Sequence, residues 1–434
     1  MVKTAEHNII NDGTSDVTRE IQALINDLKV GGSLVISKGT YLVSSLFLKS
    51  DMNLIFEPNA TLLATTDESK YPILPTRVAG VEMDWYVGIL NLDKCNNVTV
   101  SGLGIINGSG EYWWNKYWGT DYKSGMRKDY DSNGLRWAAD YDCMRVRNLV
   151  VSESENITIS EISSMKSGFW NVHILYSDNV RINNIKILEN GDESPSTDGI
   201  DIDSSSNVIV ENCTTSCHDD SICIKSGRDG DGYFVGKPCH DIIIRNCEIR
   251  DGMGMTIGSE VSGGVYNVKF ENIKFIGTDC GFRMKSSNVR KGYIKDITVE
   301  NIEMTNVRYP FNFNLNWNPQ YSLCQLPNEY QGRVPQHWKK LLMRVPSEVE
   351  NTKVENITIR NVSSNITADY HGTSRAFQIE GFEDQPIRNV IFKEVSIEAK
   401  EFGQISYVKD ISFQNTDISI TSKNDNKNDQ FDNR

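Results

Sequence analysis

Short runs in which apolar and polar positions alternate recur along this chain, and each run is opened by an asparagine or an aspartate. The runs are rich in Val, Ile and Thr, a pattern typical of short strands with one buried face. Most neighbouring runs lie between 21 residues (410 − 389) and 34 residues (241 − 207) apart. This spacing predicts a solenoid with one run per turn and loops of variable length. The ten runs begin at Asn97, Asn156, Asn179, Asn207, Asp241, Asn267, Asp296, Asn356, Asn389 and Asp410.

A single turn of such a chain cannot bury its apolar face alone, whereas stacked turns share a continuous core. We therefore predict an all-β fold in which parallel sheets wind into a β-helix. Asparagine suits the corners because it tolerates left-handed backbone geometry and can hydrogen-bond to its own backbone. Residues 16–28 are amphipathic and predict a helix that caps the N-terminal end of the core. The apolar face of this segment comprises Val17, Ile21, Leu24, Ile25 and Leu28.

The length of 434 residues would by itself suggest two or three domains. Because the repeat runs unbroken from about residue 31 to about residue 419, we predict one elongated domain over residues 1–422. Residues 423–434 are almost entirely polar and predict a disordered C-terminal tail.

The N-terminus lacks an apolar core of signal-peptide length, and no run approaches the roughly 18 apolar residues of a membrane span. As written, the sequence predicts a cytosolic protein with no membrane partner. A chain from which a signal had been removed would look the same and would be secreted or periplasmic. No nucleic-acid partner is predicted for this chain, whose formal net charge is −13.

Nine cysteines, an odd number, fit small buried residues in the stack better than a complete disulfide framework. Cys239-His240 and the segment Cys213 to His218 lack the partner spacing of a zinc site. We predict neither a metal nor a cofactor.

Two aspartate motifs carry the candidate chemistry. Asp198 and Asp219 are 21 residues apart (219 − 198), so they are predicted to occupy equivalent positions on adjacent turns, about 4.8 Å apart, with Asp220 beside them. Crowded like charges raise at least one pKa, so that one carboxyl group stays protonated while its neighbour stays ionised. Such a pair can protonate a glycosidic oxygen and activate water, and a separation of roughly 6.5–9.5 Å leads to inversion.

Four short motifs then follow one another along the chain. Together with residues 102–110 and Trp113-Trp114, they resemble the polygalacturonases and rhamnogalacturonan hydrolases of glycoside hydrolase family 28. Residues 256–264 resemble the bacterial exo-acting members of that family. The motifs are Ser196-Thr197-Asp198, Asp219-Asp220, Gly252-Met253-Gly254 and Arg283-Met284-Lys285.

The resemblance implies that Asp219 is the general acid and that Asp198 and Asp220 share the attacking water. Alternatively, these aspartates only cap turns of the solenoid. Arg283 and Lys285 are two residues apart and share one strand face, so both can grip a sugar carboxylate in the same groove. Lys225 and Arg228 can extend that patch and hold Asp198 and Asp220 ionised. The alternative for these cations is a solvated face.

Met253 departs from the family pattern, in which a histidine is usual. Because methionine neither titrates nor donates a hydrogen bond, the role of that histidine is absent or has moved, and His218 is a possible substitute. The change favours a substrate other than plain homogalacturonan. Glu260, in the exo-like segment, is predicted either to contact substrate or to brace the turn.

Two aromatic-rich insertions interrupt the repeat, at residues 111–142 and 309–338. Long loops on a solenoid commonly form its functional face, and aromatic rings stack on sugars. We predict that these loops wall off one end of the groove and restrict cleavage to chain ends. The alternative is a hydrophobic cover over the sheet.

Taken together, these features predict a right-handed parallel β-helix that hydrolyses α-linked galacturonic acid in pectic oligosaccharides with inversion, without a metal, and from the chain end. The alternatives left open are a rhamnogalacturonan hydrolase or galacturonohydrolase, a calcium-dependent β-helix pectate lyase and a noncatalytic glycan-binding β-helix. Fold alone does not separate these functions, because function belongs to the site.

Overall fold

The computed structural model describes residues 1–188 and 194–421. An 11-stranded sheet in this part of the chain is parallel throughout, and its strands lie side by side in the order of the sequence. Each turn of the chain therefore adds one strand, as a solenoid requires. The strands are Leu46–Phe47, Leu90–Asp93, Leu149–Ser152, Val172–Leu175, Ile200–Asp203, Ile222–Lys225, Met255–Ile257, Cys280–Lys285, Tyr309–Asn314, Arg375–Glu380 and Glu401–Ser406.

A larger sheet of 21 strands in the described residues completes the turns, and it contains all ten predicted runs. Consecutive runs pair in parallel and in register, as in Val98 with Ile157 and Ile157 with Val180, so their apolar residues stack inside the helix. The predicted parallel β-helix is confirmed. The strands are Val2–Lys3, Asp12–Asp16, Ser33–Ile36, Gly39–Val43, Met52–Phe56, Ala60–Ala64, Asn96–Gly102, Ile105–Asn107, Glu155–Ser160, Ser163–Met165, Asp178–Asn183, Lys186–Leu188, Ser206–Glu211, Thr214–Ser216, Cys239–Arg245, Glu248–Arg250, Val265–Ile276, Tyr293–Thr305, Lys353–Asn365, Ile387–Ala399 and Val408–Ile420.

The residue that opens each run forms a corner of the solenoid. All ten have left-handed backbones, with φ between 52° and 60°. The side chains of these corners bond to the neighbouring turn as well as suiting the geometry. Asn156 donates to Asn96 at 3.0 Å, and Asn389 donates to Asn356 at 2.9 Å. Such ladders satisfy the amide groups and help to hold the turns in register.

The helix Thr18–Asp27 covers the N-terminal end of the core, as predicted. Ile21 and Ile25 on its inner face are completely buried. The other helices of the described residues are short, and the sparse helical periodicity of the sequence did not indicate them. None of the described helices is long and apolar enough to cross a membrane. They are Thr4–His7, Glu68–Lys70, Gly110–Trp118, Met126–Ser132, Arg136–Asp142, Asp229–Val235, Pro319–Ser322 and Gln336–Leu341.

An antiparallel hairpin, Ile73–Val78 with Val81–Tyr86, stands outside the solenoid and was not predicted. Its turn residues Ala79 and Gly80 have φ of 42° and 81°. The hairpin lies across the outer face of the smaller sheet, where Arg77 donates to Asp203 at 3.0 Å. Both side chains are completely buried. The hairpin therefore closes part of that face to solvent.

The division into one domain over residues 1–422 and a tail over residues 423–434 stays a prediction. The tail lies outside the described residues.

Candidate active site

The candidate acid and base groups lie at the start of two neighbouring strands of the smaller sheet. Ile200 pairs with Ile222, an offset of 22 residues (222 − 200), and the amide of Gly199 donates to the carbonyl of Asp220 at 2.9 Å. This register places Asp198 level with Asp220. The predicted equivalence of Asp198 and Asp219 is therefore wrong by one residue, because the Asp219-Asp220 pair adds a residue to the corner.

The predicted crowding of carboxylates is confirmed. Oxygen atoms of Asp198 and Asp220 lie within 4.8 Å of each other, and Asp219 shares the same cavity. Burial and the charge of Asp219 raise the pKa of Asp198 to about 8. Burial and the charge of Asp220 also raise the pKa of Asp219, which is half-buried. Near neutral pH, protons are therefore held on Asp198 and Asp219.

Asp220 differs from its neighbours because cations surround it. Lys285 Nζ lies 2.6 Å from one carboxylate oxygen, while Arg283 Nη1 lies 3.4 Å and Thr256 Oγ1 2.6 Å from the other. Burial alone would raise the pKa of Asp220, but Lys285, Arg283 and Lys225 outweigh it and lower the pKa below the usual range. Arg283 and Lys285 do share one face of the strand Cys280–Lys285, as predicted, and both engage Asp220.

Lys225 stands at the centre of a second set of carboxylates. Its Nζ lies 3.4 Å from Asp198, 3.5 Å from Asp201 and 3.4 Å from Glu260, and 5.2 Å from the centre of the Trp170 ring. Burial would lower the pKa of this ammonium, but the surrounding acidic groups raise it well above its usual value. Lys225 is therefore a charged hub of the site. It does not keep Asp198 ionised, contrary to prediction.

Arg228 does not extend the cationic patch. It is completely buried, and it donates to the Tyr141 hydroxyl at 2.7 Å and to the Tyr321 carbonyl at 2.5 Å. These bonds hold both insertions against the solenoid. Its predicted contact with the catalytic carboxylates is wrong, because the chain turns away from the sheet after Lys225.

His218 and Met253 both lie outside the cavity lining. His218 is exposed, and Met253 is half-buried. The amide of Met253 donates to the Asp219 carbonyl at 3.0 Å, so this turn braces the backbone of Asp219. The structure therefore gives no support to His218 as a replacement for the family histidine, and it gives Met253 a backbone role.

Glu260 both lines the cavity and braces its turn, so the two predicted roles coexist. Ser259 Oγ donates to it at 2.8 Å. Although burial raises the pKa of Glu260, the charges of Lys225, Arg290 and Arg228 lower it overall. Gly258, just before this pair, has no room for a side chain, since an added Cβ would lie 1.9 Å from the carbonyl of Lys285.

The two insertions divide between the predicted roles. Trp317 and Tyr321 line the cavity, and the Lys285 ammonium lies 4.4 Å from the centre of the Trp317 ring. Trp113, Trp137 and other rings are instead buried as a cover. Sequence reasoning missed four lining residues, namely Arg136, Asp140, Phe169 and Trp170. The position of Trp170 close before Asn171 in the preceding turn was the available signal.

Asp198, Asp220 and Cys223 place ligand atoms within 4.8 Å of one another, which is close enough to consider a metal ion. The ammonium groups of Lys285 and Lys225 already contact the two carboxylates, at 2.6 Å and 3.4 Å. They supply the positive charge that a cation would supply. The donor set therefore fits a metal poorly, and the expectation that none is needed stays a prediction.

Comparison with known proteins agrees with this fold and site. The sequence pattern of the glycosyl hydrolases family 28 matches residues 26–329. A probable polygalacturonase of Vitis vinifera is 31% identical over 315 residues, which cover 70% of this chain and 60% of the relative. The chain thus spans less than two thirds of that relative's length.

Two solved structures share the fold. An exopolygalacturonase from Thermotoga maritima has a TM-score of 0.78 and 24% identity, covering 96% of this chain and 91% of that chain. A family 28 exopolygalacturonase of Yersinia enterocolitica has a TM-score of 0.78 and 20% identity, covering 96% and 75%. These structures confirm the right-handed parallel β-helix. The chain belongs to glycosyl hydrolases family 28.

The raised pKa of Asp198 predicts a stability effect that depends on pH. Between the unfolded value near 3.9 and about 8, the folded protein holds this proton more tightly than the unfolded chain, so the free energy of unfolding falls as pH rises. Asp198→Asn should remove this penalty and stabilise the protein by about 1–2 kcal/mol at pH 8, but not at pH 4. Denaturant unfolding across this range tests it. A difference that does not change with pH, or an equal gain in the exposed Asp251→Asn control, would contradict the prediction.

Proposed function

We propose that this protein hydrolyses the terminal α-linked galacturonic acid of pectic oligosaccharides with inversion, acting from the non-reducing end. Asp219 donates its proton to the glycosidic oxygen as the bond to the leaving sugar breaks. Asp220 takes the proton of the attacking water, and Asp198 holds that water with it. The observation that carries the proposal is the set of three carboxyl groups with opposed pKa shifts in one cavity.

The charge distribution supports these roles. An acid must hold a proton near the working pH, and the pKa of Asp219 is raised. A base must be ionised, and the pKa of Asp220 is lowered by Lys285 and Arg283. Environments that push neighbouring carboxyl groups apart in this way are the usual basis of acid and base assignments.

Terminal action is supported by the asymmetry of the sheet face around the cavity. Upstream, the hairpin covers the turn of Asp203, and His173, Asp201 and Asp203 are completely buried. The hairpin tip reaches the cavity at Ala79, whose carbonyl accepts from Tyr141 at 2.8 Å. Downstream, Asn312 and Gln378 continue the row of Arg283 and are only half-buried. A chain can therefore leave the cavity on one side.

A lyase mechanism fits this site less well. Lyases of this fold typically hold calcium through aspartates, whereas Asp220 and Asp198 here contact lysine ammonium groups. A noncatalytic binder would not need carboxyl groups with opposed pKa shifts.

Product analysis tests the proposal. The protein is incubated with oligogalacturonides and, separately, with rhamnogalacturonan oligosaccharides, each with and without chelator. We expect monomeric galacturonate from oligogalacturonides, released first as the β-anomer in proton NMR spectra and unaffected by chelator. Release from rhamnogalacturonan alone would assign the neighbouring sugar as rhamnose, and unsaturated calcium-dependent products would overturn hydrolysis.

A further inference from the structure

The closed end of the cavity carries a cation that no step of the proposed reaction uses. Arg136 begins the helix Arg136–Asp142 in the first insertion, and it lines the cavity opposite the catalytic lysines. Lys225 and Lys285 contact carboxylates of the catalytic group, whereas Arg136 contacts none of these. Its guanidinium thus faces the space where the terminal sugar would lie.

The position of Arg136 is fixed by its neighbours. Its Nη1 donates to one oxygen of Asp140 at 2.6 Å, and the guanidinium lies 5.1 Å from the centre of the Tyr321 ring. The other oxygen of Asp140 accepts from Ser196 at 3.2 Å and from the completely buried Arg145 at 3.4 Å. Because Ser196 is two residues before Asp198, this network ties Arg136 to the catalytic strand.

The network has an excess of positive charge. Arg136 and Arg145 contribute two cations, and Asp140 is the carboxylate that they share. Their charges outweigh the effect of burial and lower the pKa of Asp140 to about 2, so it stays ionised. Within residues 1–188 and 194–421, Asp140 is the sole hydrogen-bond partner of the Arg136 guanidinium. Its Nε and Nη2 donors therefore remain for a ligand.

We propose that Arg136 binds the carboxylate of the terminal galacturonate and so selects a uronic acid for the closed end of the cavity. This inference rests on the proposed function and adds a specificity residue to it. A guanidinium held by Asp140 and Tyr321 presents its remaining donors in a fixed plane, which suits a planar carboxylate. Arg136 is then a substrate-binding residue and takes no part in proton transfer.

Kinetics with two matched substrates test this assignment. One is digalacturonate, and the other is the same disaccharide with the carboxyl group of its non-reducing sugar methyl-esterified. Arg136→Gln should raise KM for digalacturonate roughly 10- to 100-fold, because a charge-assisted hydrogen bond is lost. It should leave kcat within about threefold and abolish the preference for the acid over the ester. Arg136→Lys should restore part of the affinity.

Arg127→Gln is the matched control. Arg127 lies in the same insertion, forms the same i,i+4 pair with Asp131 at 2.8 Å and lies over the Trp118 ring, but it does not line the cavity. It should leave both KM values unchanged. An unchanged KM in Arg136→Gln, or an equal rise for acid and ester, would overturn the inference and indicate a structural role.

Calorimetric titration with free galacturonate separates this inference from the proposed reaction. If the wild-type protein hydrolyses neither substrate, the proposed function fails, yet weaker galacturonate binding by Arg136→Gln alone would still support the assignment. Equal affinity in the wild type and in both variants, or no binding by the wild type, would overturn it.

Discussion

Replacing Asp219 with asparagine should lower kcat by about a thousandfold and leave substrate affinity within a few-fold. The amide has nearly the same size as the carboxyl group, but it has no proton to transfer to the glycosidic oxygen. Because the pKa of Asp219 is raised by burial and by Asp220, the wild-type residue holds that proton where the enzyme works. Galacturonate release at saturating substrate measures kcat, and calorimetry measures affinity.

Asp251→Asn is a suitable control, because Asp251 is an exposed aspartate that bonds to Ser216 at 2.9 Å, away from the cavity lining. It should retain the full rate. If Asp219→Asn keeps more than about a tenth of kcat, the acid must be another group, and the raised pKa of Asp198 would make that residue the next candidate.

The sequence predicted the solenoid well because one local rule repeats in every turn. Asn156 and Asn179 open runs with the same alternation, and their left-handed corners and in-register pairing follow from that local pattern. The register of the active site was harder to predict. It depends on the number of residues in each corner, and the paired positions proved to be 22 apart near Asp198 instead of 21.

The walls of the cavity could not be predicted from the repeat. Ala79 and Arg136 lie in segments with no counterpart in neighbouring turns, and they reach the site through contacts with residues distant in sequence, such as Tyr141 and Tyr321. The hairpin did have a local signal, the short Ala79-Gly80 turn between two apolar strands, but Pro75 argues against a regular strand. Burial of Arg228 follows from the same long-range packing.

Replacing Lys225 with methionine should lower the free energy of unfolding by roughly 3 kcal/mol at neutral pH and lower kcat as well. Methionine preserves the length of the side chain but leaves Glu260 without its closest cation, and burial of an uncompensated charge is costly. Arg290 remains 3.9 Å from Glu260 and offsets part of the loss. Chemical denaturation at several pH values measures the difference between the two proteins.

The stability deficit of Lys225→Met should shrink as the pH falls, and the sign follows from Glu260. In the wild type, Lys225 and the nearby arginines lower the pKa of Glu260, so its contribution is present above the unfolded value near 4.3. In the variant, the pKa should rise above that value, so the penalty grows above about pH 4.3 and vanishes below it. Lys274→Met, at an exposed pair with Glu303, should change stability by less than about 1 kcal/mol at any pH. A deficit that stays constant between pH 4 and pH 8 would mean that Lys225 acts through packing instead of charge.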